Sequence, residues 1–336
     1  MVKIGIVGSG FGLYGLLPAF NSVKNCKVVA ICARQSEQLI SYCERIGLNN
    51  IYIDWKLLLE NERLDAVALA VTPNAQYQIA KIAIAKGLHV FAEKPLAASL
   101  IQAKELLTLA RKKKITHGID FIFPQIAEWK KVKELIDCET FGKLKHISVN
   151  WDFLGGDIKY KRSSWKTNTA AGGGVLSFYF SHGLYYLEHF AGRITDTRSL
   201  FTYSPESING GEVGADILLK FKGGITGDVH VSCNSRGFVK HQLIFQCENG
   251  VIILENKNAI VNNFTIKTYS QIGTKQLTVK KDRNRKNEDE RVKIVRKLAT
   301  KFVNSCLNNR QMYPSFIEGL RVQELIERIR AEKYDR

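Results

Sequence analysis

The sequence predicts an α/β chain in two parts: a parallel-sheet domain over residues 1–120, then an α+β domain over residues 121–336 built on a large, mostly antiparallel sheet. Three observations predict it. The length, 336 residues, suits two domains at about 150 residues each. Up to Asp120, short apolar runs alternate with amphipathic stretches, the rhythm of βαβ units. After Pro124 the pattern becomes strands divided by glycine turns.

Strands of the first domain are expected at Lys3–Val7, Val28–Ala33, Ile51–Ile53, Ala66–Val71, His89–Ala92 and Ile115–Asp120. Helices fall between them, as at Ala75–Lys86 and Ser99–Lys113, where apolar residues recur at three- and four-residue spacing. In the second domain a helix near Gln125–Asp137 leads to a strand at Lys145–Trp151 and a polar, glycine-rich loop ending at Gly174. A helix at Val175–Phe190 follows. From Arg198 to Val279 the chain reads as strands, with turns at Asn209-Gly210-Gly211, Lys222-Gly223-Gly224 and Glu248-Asn249-Gly250. Helices at Glu288–Leu307 and Pro314–Ala331 close it.

Composition removes several classes. The chain is 45% hydrophobic and 24% charged, which argues against disorder and fibrous structure. The apolar run Ala66–Val71, halted by Thr72-Pro73, falls far short of the ~18 residues a membrane span needs, and the start carries no secretory pattern. The seven cysteines form no Cys-x-x-Cys pair and flank no histidine at ligand spacing, so they read as reduced thiols with no metal site. A cytoplasmic protein is expected. The net charge of +17 admits a polyanionic partner. The basic clusters Arg111–Lys114 and Lys280–Lys286 lack interleaved aromatics, so they read as solvated surface and not as a nucleic-acid platform.

The first strand runs straight into Gly8-Ser9-Gly10-Phe11-Gly12-Leu13-Tyr14-Gly15. Glycines at a strand-to-helix turn let backbone N–H groups approach a pyrophosphate at the helix N-terminus, which makes this a Rossmann dinucleotide-binding domain. Gly8, Gly10, Phe11 and Gly12 are its candidate contacts. The usual third glycine is Leu13, so Gly12 or Gly15 must supply the close helix–strand approach. The second strand ends in Ala33-Arg34-Gln35-Ser36 without the carboxylate that holds the ribose of NAD. Arg34 can instead pair with a 2′-phosphate, with Ser36 adding a hydroxyl, and NADP(H) is therefore favoured over NAD(H).

Five further segments share a pattern: Val71-Thr72-Pro73-Asn74, Gly87-Leu88-His89-Val90, Phe91-Ala92-Glu93-Lys94-Pro95, Gly172-Gly173-Gly174-Val175-Leu176 ahead of His182, and Pro314-Ser315-Phe316-Ile317-Glu318-Gly319-Leu320-Arg321. With the N-terminal glycine turn they make the chain resemble the Gfo/Idh/MocA oxidoreductases over nearly its whole length. The resemblance implies a nicotinamide held between a Rossmann domain and a substrate domain. It makes Lys94 and His182 the catalytic pair, with Lys94 beside the nicotinamide. It adds Thr72, Pro73, Tyr77, Glu93 and Lys94 to the cofactor contacts, Tyr77 standing where a histidine is frequent. An ammonium beside a developing alkoxide suits this role, as does an imidazole that titrates near neutrality.

The departure lies one turn before His182, where the family commonly carries an aspartate and this chain has Phe178. A second family aspartate is replaced by Tyr185. On a regular helix Phe178, His182, Tyr185 and Tyr186 share one face without a carboxylate. Substrate contacts are expected from Lys94, His182, Tyr186, Asp120 at the end of the sixth strand, and Trp165 and Lys166 in the loop before the glycine run.

The expected activity is hydride transfer to or from a hydroxyl or keto carbon of a sugar, cyclitol or nucleotide-linked sugar by a homodimer or homotetramer. The alternative is a dinucleotide-binding sensor or regulator without turnover, which Phe178 encourages.

Overall fold

The computed structural model describes residues 1–258 and 260–332, and they separate into two compact units. The first is built on Met1–Ile122. Its strands are β1 (Val2–Val7), β2 (Cys26–Cys32), β3 (Ile51–Tyr52), β4 (Ala66–Leu69), β5 (His89–Ala92) and β6 (His117–Ile119). They pair in parallel in the order β3-β2-β1-β4-β5-β6. The strands are short apolar runs because both sheet faces are covered: all of β4 is buried, and so is β1 apart from Lys3. Between β1 and β4 the strand order reverses direction, and ligands bind outside the carboxyl ends of the strands at such a switch point.

Helices α1 (Leu17–Asn21), α2 (Glu37–Ile46), α3 (Trp55–Asn61), α4 (Pro73–Ala85) and α5 (Leu100–Lys112) connect the strands. Several begin where a polar side chain caps the first turn: Ser36 Oγ accepts from Leu39 N at 3.2 Å and Ser99 Oγ from Gln102 N at 3.3 Å.

The second unit begins at Phe123. Helix α6 (Ala127–Asp137) precedes β7 (Leu144–Asp152), and α7 (Gly156–Lys159) and α8 (Ser181–Ala191) follow. Then come β8 (Ile194–Thr202), β9 (Gly214–Phe221), β10 (Thr226–Ser232), β11 (Lys240–Cys247), β12 (Gly250–Asn256), β13 (Thr265–Ser270) and β14 (Gly273–Leu277). The sheet order is β14-β13-β12-β11-β7-β10-β9-β8. Every pairing is antiparallel except β7 with β10. Buried residues alternate with solvated ones along these strands, so one face lies against helices and the other is open. The covered face holds the core: Trp129 lies edge-on to Tyr186 at 4.9 Å and to Phe264 at 5.3 Å, and Phe190 meets Phe245 at 4.8 Å.

Two elements differ from expectation. The helix expected over Val175–Phe190 is a π-helical turn, Val175–Tyr179, followed by α8, with Phe180 between them. The C-terminal helices do not belong wholly to the second domain. Residues Arg283–Gln323 pack with the first unit, and the chain rejoins the second only from Glu324. Helix α9 (Val292–Leu307) sets Phe302 edge-on to Phe20 at 6.1 Å and to Phe91 at 5.6 Å. Arg296 fastens it, donating to Ser22 Oγ at 2.6 Å and pairing with Glu288 at 2.6 Å. An amphipathic pattern states that a helix buries one face but not which sheet the face covers, and so the division at residue 120 placed α9 with the wrong core. Helix α10 (Phe316–Ala331) begins in the first unit and ends in the second.

Candidate active site

The glycine turn is built on close approaches. Gly8 has φ +143°, and a Cβ there would overlap the carbonyl oxygen of Ala70 at the end of β4. Only glycine fits such a backbone. Its N–H donates to Cys32 O at 2.9 Å. Gly10 is exposed, and nothing lies within 4 Å of where its Cβ would stand. Gly12 is buried and rides on β1, its Cβ position 3.6 Å from the Val7 carbonyl, while Gly15 is covered by the Phe11 ring. Gly12 therefore makes the helix–strand approach, and Gly15 makes room for Phe11. Next to β1 the exposed Ser9–Gly10 backbone is left clear of bulky side chains, a cradle that fits a pyrophosphate.

Phe11 is turned toward the protein. Its ring meets Tyr14 edge-on at 5.5 Å and lies under the Arg291 guanidinium at 4.5 Å. Arg291 is held by Asp289 through two bonds of 2.8 and 3.0 Å. Arg34 is exposed at the end of β2, and its backbone N–H donates to Ser9 Oγ at 2.7 Å, so the glycine turn and the arginine are fastened together. Ser36 Oγ accepts the cap bond of α2 from Leu39 N. Thr72 is exposed at the start of α4, ahead of buried Pro73. The Tyr77 hydroxyl donates to Glu105 at 2.5 Å, which also pairs with Lys81 at 2.7 Å. It ties α4 to α5.

The segment after β5 is the most constrained part of the unit. Gln76, 1% exposed, accepts from Glu93 N at 3.0 Å and donates to the carbonyls of Glu93 (2.7 Å), Pro95 (3.0 Å) and Leu96 (3.0 Å). The Lys94–Pro95 bond is cis. The Lys94 N–H in turn donates to Glu93 Oε2 at 3.2 Å. Alongside, Asp120 N donates to Ala92 O at 3.0 Å, which sets Asp120 next to this segment. The Asp120 carboxyl is 2% exposed. Burial, and then the charge and hydrogen bond of Glu93, push it well above the usual carboxylate range, with Lys94 and Arg291 pulling the other way. Glu93, Lys94 and Asp120 thus form one cluster.

In the second unit the glycine run crosses a tight site. A Cβ on Gly173 would overlap the Trp165 carbonyl, and one on Gly174 the Glu212 carboxylate. Arg330 donates to Gly173 O at 2.7 Å and to Glu212 at 2.5 Å, and Val175 N donates to Glu212 O at 2.8 Å. The π-helical turn then delivers His182, 9% exposed, with its ring edge-on to Phe123 at 5.1 Å. Such turns concentrate at functional sites.

Phe178 lies in the π-helical turn and His182 in the first turn of α8. The half-buried Phe178 ring joins Trp165 at 5.1 Å and Tyr179 at 4.4 Å, with the Lys166 ammonium 5.0 Å above it. Lys166 lies 3.7 Å from Asp157. Trp165, Lys166 and Phe178 therefore make an aromatic and cationic surface. Tyr186 stands apart from them: it is fully buried and hydrogen-bonded to His241 Nε2 at 3.2 Å, a core residue where a substrate contact was expected.

Sequence reasoning missed Gln76, Glu212 and Arg330. The polar residue at position 76 on a buried helix face is the one visible signal. Glu212 and Arg330 are 118 residues apart and carry none. Among the described residues no group of three or more histidine, cysteine, aspartate or glutamate side chains is placed to hold a metal ion, and no helix is long and apolar enough to cross a membrane.

Comparison with known proteins agrees with this architecture. Residues 2–121 match the model of an oxidoreductase family with an NAD-binding Rossmann fold, and residues 129–253 match the GFO/IDH/MocA C-terminal domain. An uncharacterized oxidoreductase of Synechocystis is 26% identical over 97% of this chain and 92% of its own length. A dTDP-3,4-didehydro-2,6-dideoxy-alpha-D-glucose 3-reductase of Streptomyces violaceoruber is 27% identical over 48% of each chain. The fold is shared with a levoglucosan dehydrogenase in complex with NADH and levoglucosan, at TM-score 0.85 and 16% identity over 98% of this chain and 96% of that one. It is shared likewise with a 3-ketoreductase from Actinomadura kijaniata in complex with TDP-benzene and NADP, at TM-score 0.80 and 18% identity over 99% and 98%. The chain belongs to the Gfo/Idh/MocA family of NAD(P)-dependent oxidoreductases.

Proposed function

We propose that the protein is an NADP(H)-dependent oxidoreductase that interconverts a hydroxyl and a keto group on a sugar, a cyclitol or a nucleotide-linked sugar. One observation carries the reading. The glycine turn after β1 and Lys94, two residues past the end of β5, both lie beyond the carboxyl ends of strands in the same sheet. When bound, the dinucleotide supplies or accepts the hydride. Gly8 permits the turn that offers the exposed Ser9–Gly10 backbone to its phosphates, and Arg34, without a carboxylate beside it on the strand end, meets the 2′-phosphate. Lys94 polarises the substrate oxygen and gives it a proton as negative charge develops there. His182 acts as a second proton donor or acceptor. The Trp165–Phe178 surface with Lys166 receives the sugar.

The charge of +17 supports a phosphorylated or nucleotide-linked substrate, as do dTDP-sugar 3-reductases among the relatives. We infer a cytoplasmic homodimer or homotetramer paired through the open sheet face, where Leu200 and Leu218 are 58% and 64% exposed. The test of activity is NADPH oxidation by pure protein against a panel of keto-sugars and their nucleotide conjugates. Turnover that survives Lys94→Ala unchanged would remove the assigned role.

Phe178 in the place of a family aspartate favours a second reading, a dinucleotide-binding sensor. The two part on whether bound NADPH is consumed when any carbonyl ligand is added. A sensor binds both and consumes neither.

A further inference from the structure

Two arginines flank the glycine turn. Arg34 is tied to one end, its N–H donating to Ser9 Oγ at 2.7 Å. At the other end the Arg291 guanidinium lies 4.5 Å from the centre of the Phe11 ring and 5.6 Å from that of Tyr14. The Phe11 ring is seated in the space where Gly15 lacks a Cβ, so Gly15, Phe11 and Arg291 form one stack. Arg291 directly precedes α9 and reaches the turn from far along the chain.

The stack is more than a clasp. The ion-pair partner of Arg291, Asp289, stands on the same segment, so the pair ties nothing across the unit. Asp289 accepts from Nε at 2.8 Å and from Nη2 at 3.0 Å. That side-on grip fixes the guanidinium plane and puts Nη1 on the edge away from the carboxylate. The fastening of α9 is done elsewhere, by Arg296 on Ser22 and by Phe302 among Phe20 and Phe91. The Arg291 side chain keeps 25% of its surface exposed, and the ring beneath it follows directly on the exposed Ser9–Gly10 backbone. Backbone N–H groups can bind a diphosphate but carry no charge to set against its two negative ones. A held guanidinium supplies both charge and donors matched to phosphate oxygens.

We propose that Arg291 is a coenzyme-binding residue whose guanidinium, seated on Phe11, donates to the pyrophosphate of the dinucleotide. The two arginines then divide the ligand: Arg34 takes the 2′-phosphate, and Arg291 takes the diphosphate that NADPH and NADH share. Phe11 serves as the platform. The proposal rests on the dinucleotide-binding reading and is independent of substrate and turnover.

Calorimetric titration of the full chain with NADPH, NADH and adenosine 2′-phosphate tests it. Arg291→Met still covers the Phe11 ring but donates nothing. It should weaken both dinucleotides on the order of 10- to 100-fold, the worth of a charged hydrogen bond, and leave adenosine 2′-phosphate unchanged. Arg291→Lys, which keeps the charge without the fork, should recover part of the loss. Unchanged affinity for either dinucleotide in Arg291→Met overturns the proposal. So does a loss that extends to adenosine 2′-phosphate, which would make the stack a prop for the whole turn. If the unaltered protein binds neither dinucleotide, the coenzyme reading falls and takes the proposal with it. If it binds both and Arg291→Met binds them equally well, the proposal alone falls.

Discussion

The Gln76 side chain and the Glu93 backbone are joined twice, by an N–H accepted at 3.0 Å and a carbonyl met at 2.7 Å. One amide on a helix therefore does for the Glu93–Leu96 segment what a neighbouring strand does inside the sheet. It pairs the backbone in both directions on either side of Lys94. Because Gln76 also donates to the Pro95 and Leu96 carbonyls, its loss strands several buried groups at once.

Gln76→Ala should accordingly destabilise the first unit by on the order of 3 kcal/mol, since each buried group left unsatisfied costs about 1–3 kcal/mol. It should also lower kcat more than it raises KM, because Lys94 is displaced and not removed. Gln76→Glu, which can accept but not donate, should behave like the alanine variant. Urea unfolding and steady-state kinetics on the two variants check this.

Acid should weaken the fold through two buried histidines. His117 lies stacked on Phe316 at 4.8 Å, its Nδ1 accepting from Phe316 N at 3.1 Å. Burial, with Arg111 nearby, lowers it to about 4. Burial lowers His241, stacked on Trp151 at 4.3 Å, to about 3. Both are neutral in the folded protein and titrate near ~6.5 when unfolded. The unfolded chain therefore binds more protons between the two values. The stability they contribute is complete above pH ~6.5 and falls as pH drops toward 4, by up to about 1.4 kcal/mol per pH unit for each histidine. Urea midpoints measured from pH 7.5 down to 4.5 should show this slope, and His241→Gln should flatten it.

Arg34→Asp should reverse the coenzyme preference. Removing the cation and placing a carboxylate at the end of β2 takes away a charged hydrogen bond worth about 1.5–3 kcal/mol. NADPH affinity should fall on the order of 10- to 100-fold while NADH affinity holds or rises. Fluorescence titration with both coenzymes checks it. Equal losses for the two would mean that Arg34 does not contact the 2′-phosphate.

The parallel sheet and the glycine cradle were legible because their signals are local: an apolar run four to six residues long, and glycines where a Cβ has no room. The Glu93-Lys94 segment was legible as a motif. What holds it was not, because a glutamine in a helix says nothing about carbonyls that lie 17 to 20 residues away. Helical periodicity predicted one helix over Val175–Phe190, and nothing in the sequence marks the π-helical turn that opens it. Tyr186 was misread for a related reason: a polar tip on a helix looks the same whether it meets a ligand or a buried imidazole.

Phe302→Ala tests the return of the chain to the first unit. Phe302 is fully buried against Phe20 and Phe91, and truncating it should cost about 3–5 kcal/mol. The loss should fall on the unit that binds dinucleotide, lowering the temperature at which NADPH binding is lost while leaving the second unit's unfolding unmoved. Calorimetry with and without NADPH separates the two. A loss confined to the second unit would mean that α9 serves the other core.

Phe178→Asp decides what replaced the family carboxylate. If the lost carboxylate were all that the site lacked, the aspartate would supply a proton acceptor and kcat would rise. The Phe178 side chain, however, lies against Trp165 and Tyr179 under Lys166. An aspartate there removes an aromatic ring from the surface proposed to receive the sugar and neutralises the cation above it. The expected result is a KM raised about tenfold, from ring and cation–π contacts of about 0.5–1.5 kcal/mol each, with kcat no higher than before. A rise in kcat would show that the chemistry lacks only that carboxylate, and the aromatic surface would then be an accident of packing.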